Sequence, residues 1–492
     1  MFESAELGHT VSKAEYNAEV PNLREQLLDV QFELAEKKPF PVILIISGVD
    51  GAGKGQTMNT LHFWMDPRNI HAHALGEATD EELERPAMWR YWRKLPPRGS
   101  IGAFFGSWYS HPMRMRIDGG KDCDYLDSYL VDFLRFERML ADEGALILKF
   151  WLHLSKDALK QRLTELESDK ATKWRVTKKD WDRYERYDDL RPVAEHVLRR
   201  TSTGHAPWIV VESSDERYRN LTVGRTLLKA LQARLGEKVQ ATTASVPVQA
   251  LAQDDNVNLL TNLDYTKELS KKEYKKQLEL YQGRLHKLSR SPKFRDHSVV
   301  AVFEGNDAAG KGGAIRRVIG AMDSRFYNIV PIAAPTDEEK VQPYLWRFWR
   351  HLPRKGHSVI FDRSWYGRVL VERVEGFCAE GDWMRAYGEI NDFEEEMARH
   401  GVIVVKFWLS ITAEEQLKRF QEREATGYKR FKLTDEDWRN REKWDEYSAA
   451  VCDMVERTST EIAPWTLVEA NSKYYARIKV LKTLCKRLEA EL

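Results

Sequence analysis

Gly305-Asn306-Asp307-Ala308-Ala309-Gly310-Lys311 follows a short β-branched run, Val299 to Phe303, and leads into Gly312, Gly313 and the pair Arg316-Arg317. A strand, a GxxxxGK turn and a helix in that order form the setting in which such a loop cradles phosphate. The glycines let backbone amides turn toward an anion. The helix N-terminus adds a partial positive charge there, and Lys311 a full one. The chain carries this stretch twice. Gly48-Val49-Asp50-Gly51-Ala52-Gly53-Lys54 stands 257 residues earlier, and the same spacing separates Trp89 from Trp346, Lys149-Phe150-Trp151-Leu152 from Lys406-Phe407-Trp408-Leu409, and Pro207-Trp208 from Pro464-Trp465. The protein is a tandem duplication of one phosphate-binding domain, and comparing the copies shows which charges each has kept.

The rest of the chain suits this reading. Its 492 residues are long for one core and comfortable for two. Hydrophobic residues make up 42% and charged ones 31%, the balance of ordinary globular domains. With a net charge of +1, the cations of an anion site must be concentrated locally. Cys123, Cys378, Cys452 and Cys485 are scattered without a CxxC pair, which reads as reduced thiols in a cytoplasmic protein rather than a disulfide framework or zinc site. The N-terminal stretch is acidic and lacks the apolar core of a signal peptide, and no apolar run approaches the roughly 20 residues of a membrane span. Neither nucleic acid nor a membrane is expected as a partner; homo-oligomerisation is left open.

Strands are expected at Val42 to Ile46, Val299 to Phe303, Val359 to Phe361, Val402 to Leu409 and Trp465 to Glu469, with helices between them and an amphipathic helix from Ser270 to Leu288. Apolar strands without polar alternation point to a parallel sheet covered on both faces. The fold class is α/β: tandem P-loop domains, each a parallel sheet sandwiched by helices with a helical lid. The first domain is placed at 1–235, a linker at 236–263 and the second domain at 264–492.

In the second copy, Gly305, Asn306, Ala308, Ala309, Gly310, Gly312 and Gly313 form the phosphate-binding backbone. The Ser or Thr that ordinarily follows the lysine and binds Mg²⁺ is replaced by Gly312, so metal ligation must come from elsewhere. Asp307, inside the loop, is one candidate, because Mg²⁺ takes one or two carboxylates plus phosphate oxygens. Asp362, in Val359-Ile360-Phe361-Asp362-Arg363-Ser364, is the other: an acid at a parallel strand's carboxyl end beside a P-loop is the Walker B arrangement. The bland alternative is an Asp capping a turn and paired with Arg363. Arg316 and Arg317 lie on the helix after the loop. Arg347 and Arg350 share a helical face and read either as phosphate ligands or as a solvated surface. Arg423, Lys429 and Lys432 precede a capping box at Thr434 and suit a basic lid over phosphates or an exposed charged hairpin.

Together these residues resemble the polyphosphate kinase 2 family, P-loop kinases whose phosphoryl donor is inorganic polyphosphate. The loop 305–313, the strand end Phe361-Asp362-Arg363-Ser364-Trp365-Tyr366, Val371-Glu372-Arg373-Val374 and the basic lid carry the likeness, which covers nearly all of both halves. The resemblance implies a reversible, Mg²⁺-dependent transfer from polyphosphate to AMP, a nucleoside monophosphate, giving ADP. It implies Asp307 and Asp362 as Mg²⁺-associated acids, Lys311 and Arg363 beside them, Glu372 as a further site carboxylate, and a cationic polyphosphate channel. An ATP-dependent nucleotide kinase of the thymidylate-kinase kind and a non-catalytic polyphosphate-binding protein are the competing readings.

The first copy keeps Asp50, Lys54, Arg90 and Arg93. It has Phe105 for Asp362, Gly106 for Arg363, Asn59 and Thr60 for Arg316 and Arg317, Met115 for Glu372, Leu166 for Arg423 and Thr172 for Lys429. The expectation is a degenerate copy that binds phosphate poorly, if at all, and does no chemistry.

Overall fold

The computed structural model describes residues 1–237, 259–427 and 433–492. The linker expected at 236–263 lies mostly outside them. The chain divides into two compact units: Met1–Ala78, Arg90–Ala241 and Pro335–Trp346 make up the first, and Thr79–Trp89, Thr242–Ala334 and Arg347–Leu492 the second. Each unit thus takes in a short stretch from the other half of the sequence. In the first unit the Arg98 amide donates to the Val341 carbonyl at 2.8 Å; in the second, the Lys355 amide donates to the Glu84 carbonyl at 3.2 Å.

The first unit is built on β1 (Val42–Gly48), β2 (Ile70–Ala74), β3 (Ile101–Phe105), β4 (Leu146–His153) and β5 (Trp208–Glu212) in the order β2-β3-β1-β4-β5. The second repeats it with β6 (Ser298–Gly305), β7 (Tyr327–Pro331), β8 (Ser358–Asp362), β9 (Val402–Ser410) and β10 (Trp465–Glu469), ordered β7-β8-β6-β9-β10. All the pairings are parallel. Every residue of β9 is buried, as a strand covered on both faces requires. The expected strands are present, most of them extended by a residue or two. The helix expected from Ser270 spans Lys271–Leu288, and the Ser270 hydroxyl accepts the Glu273 amide at its N-cap.

The retained Lys-Phe-Trp-Leu run has a physical reason. Lys406, wholly buried on β9, donates to Glu394 Oε2 at 2.7 Å, to the Thr458 carbonyl at 2.7 Å and to the Tyr366 hydroxyl at 2.8 Å. Glu394 also accepts from Trp365 Nε1 and the Tyr366 hydroxyl. The first unit repeats this with Lys149, Glu137, Trp108, Tyr109 and Thr201. Burial pushes the carboxyl up and the ammonium down in both units, while the pairing opposes both shifts. The network ties the turn after β8 to β9 and so holds that turn in place in both copies.

Candidate active site

β6 and β8 are neighbours, with Phe303 opposite Asp362. That register sets the acid at the end of β8 beside the loop leaving β6, at the carboxyl edge where ligands of parallel sheets bind. Gly305 has φ +145, and a Cβ there would lie 2.3 Å from the Leu409 carbonyl oxygen, so only glycine lets the loop turn so close to β9. Gly310, at φ +105, caps the helix Lys311–Ile319. Asn306 fastens the loop by accepting the Ile411 amide at 3.1 Å, and Lys311 Nζ donates to the Gly305 carbonyl at 2.6 Å.

The loop opens on a cavity of about 570 Å³. Residues 306–314 line it, with Arg316, Arg317, Asp362, Arg363, Arg419, Glu422, Arg423, Asp437, Lys473 and Arg477. Eight of the lining side chains are Lys or Arg and four are Asp or Glu, a local surplus of positive charge in a nearly neutral chain that suits an anionic ligand. Asp307 is 13% exposed; its carboxylate accepts from Asn440 Nδ2 at 2.8 Å and from Arg363 Nη2 at 3.3 Å. Arg363 Nη1 reaches Glu436 at 3.5 Å. Arg363 stands at φ +64 and Ala308 at φ +63, both left-handed; the first copy has glycine at both positions, Gly106 at φ +64 and Gly51 at φ +82. The second copy therefore accepts the strain of a side chain in order to place a guanidinium at this turn.

The other expected residues fall in two groups. Arg316, Arg317 and Arg423 line the cavity. Arg347 and Arg350 are not among its lining residues; Arg347 is buried and donates to the Ala333 carbonyl at 3.0 Å. Glu372 pairs with Arg368 at 3.2 Å and is likewise not a lining residue. Lys429 and Lys432 lie outside the described residues. The capping box at Thr434 starts the helix Asp435–Glu442.

Sequence reasoning missed four groups. Arg419 is buried; its Nη groups donate to the carbonyls of Ala308, Ala309, Ala470 and Asn471 and its Nε to Glu415 at 2.6 Å, so that it clamps the loop. Asn440 orients Asp307. Lys473 and Arg477 come from the C-terminal helix, more than 150 residues from the loop. The internal repeat held a signal for that pair, since the first copy has Glu216 and Asn220 in their places. Glu304, just before the loop, is buried and accepts from the Ser364 hydroxyl at 2.8 Å.

The first unit's cradle is filled from within. Lys54 is tied to Asp50 at 3.0 Å and to the Gly48 carbonyl at 2.9 Å. Arg219 is wholly buried, and its Nη1 lies 2.2 Å from where a Cβ on Gly53 would stand. Burial, with Arg162 nearby, pushes the Arg219 pKa down to about 10. Its counterpart, Ala476, lines the open cavity of the second unit, and nothing lies within 4 Å of a Cβ placed on Gly310.

The family model for polyphosphate kinase 2 matches residues 10–239 and 268–492. A protein of Pseudomonas aeruginosa called polyphosphate:AMP phosphotransferase is 58% identical over 490 residues, covering 100% of this chain and 99% of its own length. One of the same name from Acinetobacter johnsonii is 36% identical, covering 98% of each chain. A crystal structure assigned to polyphosphate kinase 2 from Pseudomonas aeruginosa PA01 superposes with a TM-score of 0.91 at 57% identity, over 100% of this chain and 99% of that one. With both P-loop units matched, the chain belongs to the polyphosphate kinase 2 family.

Proposed function

We propose that this chain transfers a phosphoryl group from inorganic polyphosphate to AMP, giving ADP, and that the second unit carries the reaction. The observation that carries this reading is the cation-lined cavity over the Lys311 loop with Asp307 and Asp362 at it, in a chain that matches its phosphotransferase relatives from end to end.

The second ionisation of a nucleotide phosphate has a pKa of about 6, so the nucleophilic oxygen is already largely deprotonated at neutral pH. No general base is required. The barrier lies in bringing two polyanions into line. The loop amides and Lys311 hold one phosphate, Arg363 and the arginines of the adjoining helix neutralise its neighbours, and the surrounding protein fixes the approach. One phosphoanhydride replaces another, which makes the transfer reversible.

Asp307 and Asp362 supply the hard oxygen donors that suit a divalent cation. Among the described residues no group of three or more His, Cys, Asp or Glu is placed to hold a metal. Asp307 and Asp362 would hold Mg²⁺, an ion that commonly takes only one or two protein carboxylates. When bound, Mg²⁺ neutralises charge on the transferring phosphoryl group.

The first unit does no chemistry in this reading. It has Phe105 and Gly106 at the strand end, and Arg219 occupies the space beside Gly53. Scattered thiols favour a cytoplasmic location, and no helix among the described residues is long and apolar enough to cross a membrane. A donor panel of polyphosphate, ATP and GTP against AMP and ADP with Mg²⁺ tests the proposal. ADP formation from polyphosphate and AMP is expected; turnover with ATP alone would assign the chain to ATP-dependent nucleotide kinases instead.

A further inference from the structure

Glu304 ends β6 immediately before the glycine loop, and its side chain is 6% exposed. Its Oε1 accepts from Ser364 Oγ at 2.8 Å, and Ser364 Oγ in turn accepts the Tyr366 amide at 3.3 Å. Through Ser364 the carboxylate therefore grips the turn that carries Asp362 and Arg363. It also faces a recess of about 90 Å³ that Lys311, Arg363 and Asp307 share. Burial raises its pKa, while Lys311, the Ser364 hydrogen bond and Arg363 oppose that rise and Asp362 adds to it.

The internal repeat supplies a control. The buried Lys406–Glu394 network and the serine after the strand end are present in both copies, so folding of this architecture calls for them. Glu304 is not. Its counterpart is Ser47, and the Ser107 hydroxyl, equivalent to Ser364, is buried with no hydrogen-bond partner. The first copy folds the same strand–loop–helix without this carboxylate. The carboxylate is present in the copy that also has Asp362 and Arg363, and it is replaced in the copy that has Phe105 and Gly106. A buried carboxylate is costly to keep, and no demand of the fold accounts for this one.

We propose that Glu304 is a positioning residue for phosphoryl transfer: a buried negative charge that holds the Asp362–Arg363–Ser364 turn and orients Lys311 and Arg363 toward the phosphates. The inference rests on the reading of the second unit as the catalytic one. Glu304 touches no reacting atom in this role. It acts on two cations that do, as hydrogen-bonded partners behind the ligands of other charged sites orient those ligands. Removing its charge also removes a repulsion felt by bound phosphate. Ground-state affinity for polyphosphate is therefore expected to hold or rise while turnover falls. A residue that merely supported the fold would not separate the two constants in this way.

The test uses the full chain with polyphosphate, AMP and Mg²⁺, comparing Glu304→Gln and Glu304→Asp with wild type, with Lys311→Ala as a control. Glutamine keeps the shape and the acceptor for Ser364 and removes the charge. It is expected to lower kcat roughly 10- to 100-fold, with KM for polyphosphate unchanged or lower and the melting temperature near wild type. Aspartate keeps the charge and is expected to recover part of the loss. Wild-type kcat in Glu304→Gln alongside an inactive Lys311→Ala overturns the role given to Glu304 and leaves the site assignment standing. So does a kcat loss that simply follows a fall in melting temperature. Normal turnover in Lys311→Ala overturns the site assignment itself.

Discussion

Replacing Arg363 with glycine, the residue of the first copy, separates stability from catalysis. Arg363 sits at φ +64, and a non-glycine residue in the left-handed region costs about 1–2 kcal/mol. Glycine relieves that strain but gives back about 0.4–1 kcal/mol through the larger entropy of its unfolded chain. The ion pairs lost are those to Asp307 at 3.3 Å and Glu436 at 3.5 Å. With the arginine side chain 42% exposed, each is worth about 0–1 kcal/mol. Asp307 keeps its hydrogen bond from Asn440. The contributions nearly cancel, so the folding free energy of Arg363→Gly is expected within about 1 kcal/mol of wild type. Arg363→Ala keeps the strain and loses the same pairs, and should be the less stable variant by up to about 1 kcal/mol. Turnover should fall about 10³-fold or more in both, the scale of removing an arginine from a transferring phosphoryl group. Urea unfolding of the full chain and initial rates with polyphosphate and AMP measure the two quantities. Retained turnover in Arg363→Gly, or a destabilisation above about 3 kcal/mol, would refute this account, since either exceeds what strain and screened ion pairs supply.

Asp362→Asn should reduce turnover by about 10²-fold or more through loss of transition-state charge stabilisation, while phosphate binding at the loop survives; equilibrium binding of polyphosphate to the variant separates the two effects. Lys54→Ala in the first unit, where the lysine is already tied to Asp50, should leave turnover within about twofold of wild type, and a loss comparable to that of Lys311→Ala would show that the first unit takes part. Lys406→Met strands Glu394 as an unpaired buried carboxylate and should cost about 3–5 kcal/mol of stability, read by denaturant unfolding. Glu469, almost buried between Lys267 and Lys479, has a carboxyl held below its usual value of 4.5 because these ammonium groups outweigh its burial. Its folded pKa lies below its unfolded one, so its contribution is in place above about pH 4.5 and is lost as pH falls through the folded value. Glu469→Gln should flatten that acid limb in a pH series of unfolding midpoints, and an unchanged limb would remove this pair from the account.

Most of the site's floor was legible because its parts are local. A GxxxxGK turn between a β-branched run and a helix is readable within about a dozen residues, since the glycine conformations and the helix N-terminus are near-neighbour properties. The repeat made Asp362 and Arg363 conspicuous, because the first copy has Phe105 and Gly106 in their places. Periodicity alone placed Arg347 and Arg350 on one face; burial decided that Arg347 spends its guanidinium on the Ala333 carbonyl rather than in the cavity. Helical spacing says which side chains are neighbours but not what lies opposite them.

The amino-acid sequence by itself determined two phosphate-loop domains of one design, with acids and cations in the second copy that the first has lost. Only the tertiary structure decided which distant cations meet the loop. Lys473 and Arg477 reach it because the C-terminal helix packs beside the loop helix, and Arg419, which also lines the cavity, holds the loop by donating to the Ala308 and Ala309 carbonyls. Only the structure showed that Arg219 fills in the first unit the space that Ala476 leaves open in the second. The physical reason is range. Backbone turns and helix starts are settled by residues a few positions apart, whereas the occupancy and charge of a cavity depend on side chains that the sheet order brings together from across the chain.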